Sequence, residues 1–265
     1  MTIFALGSTP IPETVRETPR TPYTDPVYWQ NARITSPEQE RITRTVEMVP
    51  DGVHSALDVG CGDGRISNGL RELCPVVSVD LSEPALLNVG GLAVRASASR
   101  LPFPDSSFDL VCCTEVLEHL TDDDYRSALS ELTRVTSHYV LLSVPADENL
   151  FDESAKCPGC GNLYHIWGHQ RSFSRERMGQ LRPDLCLLRA RQCGKIRRRT
   201  ALSRWIRRRL GGQWPVNKFA ACPRCGRPSE DKLKKNLITY ACAAMDRMIM
   251  LPRAPRWTIC LYEHN

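Results

Sequence analysis

The chain has 265 residues, 42% apolar and 25% charged, with a formal net charge of +5 and twelve cysteines. That is ordinary globular composition with enough length to bury a sizeable core, and it excludes collagenous and disulfide-scaffold classes. Uncharged apolar runs such as Tyr139–Ala146 are far too short to cross a bilayer, and Leu237–Leu251 is broken by Asp246 and Arg247, so no integral membrane segment is expected.

The start, MTIFALGSTPIPE, has no basic stretch followed by an apolar one, so it does not read as a secretory leader and a cytoplasmic location is expected. Residues 1–27 form a proline-rich arm, with Pro10, Pro12, Pro19, Pro22 and Pro26 and little apolar periodicity. Ser36-Pro37 predicts a helix start by N-cap and first-turn proline, with Ile42, Val46 and Val49 on one stripe. Strands are predicted at Ser55–Val59, Val76–Asp80, Leu92–Arg95, Phe108–Cys113, Tyr139–Val144, Leu185–Gln192 and Trp257–Tyr262, with helical patterning between, as in Tyr125–Val135. Short apolar runs alternating with helices predict an α/β fold, a doubly wound parallel sheet of Rossmann-like type with helices on both faces. The core is expected over 28–193 and 257–265, and 194–256 is an insertion.

The segment ALDVGCGDGRIS at 56–67 runs from an apolar strand into a glycine turn and then a helix, a nucleotide-binding layout. Gly60, Gly62 and Gly64 are spaced more tightly than the GxGxxG of a dehydrogenase, and Asp58 stands two residues ahead of the first. A carboxylate there opposes a diphosphate and suits a cationic ligand. Asp80 ends the next strand, where a carboxylate can accept both hydroxyls of a ribose. Together with RLPFPDSSFDLVCCTEVLEHL at 100–120, these features resemble the class I S-adenosylmethionine-dependent methyltransferases, of the type 11 kind. The resemblance implies a seven-stranded sheet and a cofactor held by Asp58, Gly60, Cys61, Gly62, Gly64, Asp80, Leu81, Ser97, Ala98 and Glu115. Family members usually carry Asp where this chain has Ser97.

Loops after parallel strands form the ligand crevice, which places Glu115, Glu118 and His119 near the transferred methyl. Glu115 to His119 spells ExxEH, and His165 and His169 follow about fifty residues later. That set is similar to the metal constellation of small-RNA 3′-terminal ribose methyltransferases, which implies a divalent ion at Glu115, Glu118, His119 and His169 and RNA as acceptor. EVLEHL also occurs in metal-independent small-molecule O-methyltransferases, and that resemblance implies His165 or His169 as base or substrate contact, Glu115 as a cofactor-side residue and His119 as a packing residue at the helix start. Both readings stay open.

Cys157 and Cys160 in CPGCG, and Cys222 and Cys225 in CPRCG, have the spacing of two zinc knuckles that complete a structural tetrahedral site. The stretch KIRRRTALSRWIRRR at 195–209 holds eight Lys or Arg and no acid, and Leu202, Trp205, Ile206 and Leu210 fall on one helical face. It can be a solvated face, a contact for a phosphorylated or lipid-linked acceptor, or an RNA contact. The HxxGHxRSF segment, the knuckles and the closing PRWTICLYEH look similar to methyltransferases acting on sugars of glycans or natural products. The resemblance implies O-methylation of a sugar or other hydroxylated small molecule.

Overall fold

The computed structural model describes residues 22–265 apart from 32, 198, 230–232, 234 and 250. Most of the proline-rich arm, residues 1–21, lies outside the described residues.

Five strands follow the predicted order: β1 (Ala56–Val59), β2 (Val76–Asp80), β3 (Leu92–Arg95), β4 (Phe108–Thr114) and β5 (Thr136–Pro145). A short hairpin, β6 (Ser154–Lys156) and β7 (Leu163–His165), comes next, then β8 (Leu185–Cys193), a small β9 (Ile196–Arg197) and β10 (Arg253–Ala254) pair, and β11 (Trp257–His264). The main sheet has seven strands in the order β3-β2-β1-β4-β5-β11-β8. The first five are mutually parallel, and β11 is antiparallel to both neighbours.

The helices are α1 (Pro26–Asn31), α2 (Ser36–Val46), α3 (Arg65–Arg71), α4 (Glu83–Leu86), α5 (Asp122–Val135), α6 (Arg175–Gly179), α7 (Ala201–Arg209) and α8 (Leu237–Met248). Thr35, not Ser36, caps α2, and its N–H donates to the Glu38 carboxylate at 2.8 Å. Ser36 sits in the first turn instead, because Glu38 closes a capping box around Thr35. Thr121 caps α5, whose first turn carries Asp122, Asp123 and Asp124 against the positive helix end.

The period of two in β1 sorts the core into layers. Leu57 and Val59 pack with Val111, Leu142 and the α5 residues Leu129 and Leu132, whereas Ala56 packs with Leu110, Leu141 and the α2 and α3 residues Ile42, Ile66 and Leu70. Trp257 at the start of β11 is paired with Pro145 and Cys193, the ends of β5 and β8. The 194–256 insertion therefore leaves and returns at the edge where the parallel strands end.

Candidate active site

The loop after β1 is shaped by its glycines. Gly60 and Cys61 donate their N–H groups to Val79 O at 2.7 and 2.9 Å, which folds the turn back over β2. Gly60 and Gly62 have φ of 71° and 55°, a region that penalises side chains. A Cβ on Gly60 would collide with the Val116 side chain, and one on Gly62 would lie 2.9 Å from the Trp29 ring. Asp80 accepts from Gly62 N at 2.8 Å through Oδ2 and from Ser82 N at 2.7 Å through Oδ1. Burial raises its carboxyl above the ordinary value while these amides and that of Leu81 pull it down. Each oxygen keeps a lone pair, so a turn that bars side chains beside a fixed carboxylate fits an adenosyl ribose.

Asp58 is fully enclosed, and its Oδ2 accepts from Ser67 Oγ at 2.5 Å. Ser67 in turn accepts from Ser78 Oγ at 2.8 Å, so the acid ties β1 to α3 and β2, while its Oδ1 has no partner. Burial pushes the Asp58 carboxyl up to about 6, against the Ser67 hydrogen bond. Cys61 and Ala98 are buried, Leu81 is exposed, and Ser97 Oγ lies 2.8 Å from Ser99 Oγ.

The described end of the arm covers this loop. Tyr23 O accepts from Trp29 Nε1 and from Ser82 Oγ, both at 2.9 Å. The Tyr23 ring meets His119 edge-on at 5.1 Å, and Tyr28 meets Phe219 of the insertion at 5.4 Å. The aromatic run YTDPVYW was the available signal, and composition alone gave it no address.

After β4 the chain kinks at Glu115, a non-glycine residue with φ of 58°. The kink turns its carboxylate to Ser143 Oγ, which donates to Oε1 at 3.0 Å, and to Trp257 Nε1, which donates to Oε2 at 2.6 Å. Glu115 is thereby separated from the metal-type grouping expected of ExxEH. The grouping that does form is Glu118, His119 and His169, whose ligand atoms lie within 4.8 Å of one another. Glu118 is fully buried, and neither carboxylate oxygen has a hydrogen-bond partner. Burial, then Glu115 and Glu148, push its carboxyl well above the ordinary range. Burial and the neighbouring His169 and His165 depress His119 to about 3.

Glu148, three residues beyond β5, was not anticipated and organises the remaining side. Its Oε2 lies 2.5 Å from His169 Nδ1 and its Oε1 3.4 Å from His165 Nε2. Backbone N–H groups of Trp167 and His169 donate to His165 Nδ1 at 3.3 and 3.2 Å, which assigns the His165 proton to Nε2, facing Glu148. The two imidazoles stack at 4.4 Å. Burial opposes ionisation of Glu148, yet the adjoining His165 and His169 imidazoles bring its carboxyl down to about 2. Its place at the carboxyl edge of a parallel strand was the legible signal.

Cys157 and Cys160 occupy the turn of the β6–β7 hairpin, which ends in His165. Cys157 Sγ lies 3.5 Å from Cys225 Sγ and Cys160 Sγ 3.6 Å from Cys222 Sγ, so the four sulfurs predicted to cluster do cluster. The Cys160 amide, foremost, lowers the Cys157 thiol to about 6.

Residues 57–143 match a family model described as a methyltransferase domain. An uncharacterised methyltransferase of Mycobacterium tuberculosis is 36% identical over 93 residues, 32% of this chain and 46% of that protein. A ubiquinone biosynthesis O-methyltransferase of Idiomarina loihiensis is 33% identical over 93 residues, 29% of this chain and 37% of that protein. The chain thus spans less than half the length of these curated relatives. A solved S-adenosylmethionine-dependent methyltransferase from Archaeoglobus fulgidus superposes with a TM-score of 0.51 at 16% identity, covering 84% of this chain and 91% of that one. Residues 57–143 thus carry a methyltransferase domain, and the seven-stranded order of the sheet with its glycine turn is the fold of the class I S-adenosylmethionine-dependent methyltransferases.

Proposed function

We propose that the protein methylates a hydroxyl oxygen of a sugar or similarly hydroxylated small molecule, with His169 as the proton acceptor. The observation that carries this reading is the Glu148–His169 contact at 2.5 Å. With its Nδ1 proton held by the carboxylate, neutral His169 leaves Nε2 as a base, and Glu148 stabilises the imidazolium that forms on proton uptake. Bound between the glycine turn and Asp80, S-adenosylmethionine supplies an electrophilic methyl on a sulfonium centre. Asp80 would hold the ribose, and the Trp29 and Tyr23 rings, packed on the turn and on His119, would exclude water. The relative named as a ubiquinone biosynthesis O-methyltransferase supports oxygen as the methylated atom.

The test is methyl transfer from radiolabelled S-adenosylmethionine to a panel of sugars and hydroxylated small molecules, with the product identified by mass and NMR. His169→Asn is expected to lower turnover by about 10²–10⁴-fold at unchanged cofactor affinity. Undiminished turnover would refute the assignment.

A second reading is favoured by the orphaned carboxylate of Glu118. A divalent ion held by Glu118, His119 and His169 would satisfy those oxygens and acidify a ribose diol, as at an RNA end. Metal analysis distinguishes the two: an ion beyond that at the cysteines, lost in Glu118→Ala, selects the RNA reading. At the cysteines we read a structural zinc, because four thiolates leave no open coordination position. It would fix the hairpin that ends in His165.

A further inference from the structure

Helix α7 is packed inside out. Its buried residues are Ser203 and Arg207, not the apolar stripe. Ser203 Oγ donates to Asp246 Oδ2 at 2.8 Å, and Arg207 pairs with the same oxygen at 3.1 Å and donates to Gln213 Oε1 at 2.8 Å. On the flank, Arg204 pairs with Asp152 at 2.9 Å, and Arg208 donates to Phe151 O and Asp152 O while stacking on the Phe151 ring at 4.1 Å. Arg204, Arg207 and Arg208 thus face the protein, and most of the stripe faces out: Leu202 is 57%, Trp205 53% and Leu210 60% exposed. Its neighbour α8 likewise exposes Leu237, Tyr240 and Met248.

A helix in water turns its apolar stripe inward. Here the inward contacts are ionic, so the outward stripe requires a covering partner. Its surroundings say which. Lys195, Arg197, Arg199 and Arg209 are exposed along the same segment, and 195–209 contains no acid. Asp246, the acid of α8, is turned onto Ser203 and Arg207. A second copy would bring like charges together, and nucleic acid offers nothing to Leu202, Leu210 or Met248. Aliphatic, Trp and Tyr side chains rimmed by cations match the interface of an anionic bilayer, where the chains enter the acyl boundary and the cations meet phosphates. Among the described residues no helix is long and apolar enough to cross a membrane, so the contact is peripheral.

We propose that the outer face formed by Leu202 and Trp205 of α7 and Leu210 just after it, with Arg209 at its rim, docks the protein on an anionic phospholipid surface. The insertion springs from the edge where the parallel strands end, so docking places the membrane on the acceptor side of the sheet.

The test is co-sedimentation of the full chain with vesicles of phosphatidylcholine alone and of phosphatidylcholine mixed with phosphatidylglycerol. Binding is expected to the mixed vesicles only and to fall with added salt. The double variant Leu202→Ser and Trp205→Ser, and separately Arg209→Glu, is each expected to weaken it about tenfold or more. Both change exposed side chains, and an unchanged melting temperature verifies the fold. Equal binding to both vesicles, or binding untouched by either variant, would overturn the proposal. So would absence of vesicle binding, whether or not a dimer that the double variant dissociates, or salt-sensitive binding of an RNA oligonucleotide, takes its place.

Discussion

Replacing Asp58 by Asn isolates a buried charge whose effect on stability has a defined pH window. Asp58 is fully buried, and its carboxyl stands at about 6 instead of 3.8, chiefly through burial. For an acid with a raised folded-state value, the native protein takes up the proton first as pH falls. Native stability therefore rises as pH falls from about 6 towards 4, and the burial cost is fully present above 6. The shift from 3.8 to about 6 corresponds to about 3 kcal/mol. In Asp58→Asn the amide oxygen still accepts from Ser67 Oγ and the charge is gone, while an unpartnered NH₂ adds a cost of about 1–3 kcal/mol that does not vary with pH. Urea unfolding of both proteins at several pH values between 4 and 7 gives the difference in stability, from which titrating groups that do not interact with Asp58 cancel. As pH rises from 4 to 7 the variant is expected to gain on the parent by about 2 kcal/mol. A difference that is flat with pH, or that grows in the opposite sense, would show that Asp58 is not a charged group forced into an apolar strand.

Asp80→Ala removes the acceptor fixed by Gly62 and Ser82, and S-adenosylhomocysteine affinity measured by calorimetry is expected to fall at least tenfold in a folded protein. Gly60→Ala puts a Cβ into Val116 at a φ of 71°, and a loss of about 1–3 kcal/mol in thermal or urea unfolding is expected; an unperturbed protein would mean that the turn is not constrained as described. Cys222→Ser breaks the sulfur quartet, so elemental analysis is expected to show one zinc per chain in the parent and none in the variant, while equal zinc would remove the cysteine site.

The sheet was legible because each strand is a short apolar run closed by a turn, and the cysteine quartet because knuckle spacing fixes which sulfurs can meet. What the residues could not convey is where a face points. Periodicity placed Leu202, Trp205 and Leu210 on one side of α7, but whether that side meets the core depends on Asp152 and Asp246, which are distant in sequence. The ExxEH spacing grouped Glu115 with Glu118 and His119, and a left-handed backbone at Glu115 swings it to Trp257 instead. Glu148 and His169 meet only because the chain between them holds the hairpin.

We propose that the glycine turn and Asp80 hold the cofactor against the Glu118, His119 and His169 corner. The decisive measurement is a crystal structure of the protein with S-adenosylhomocysteine. The predicted result is ribose hydroxyls on Asp80 and the cofactor sulfur facing the His169 side of the site; a ligand seated elsewhere, with Asp80 still bound only to Gly62 and Ser82, would contradict it.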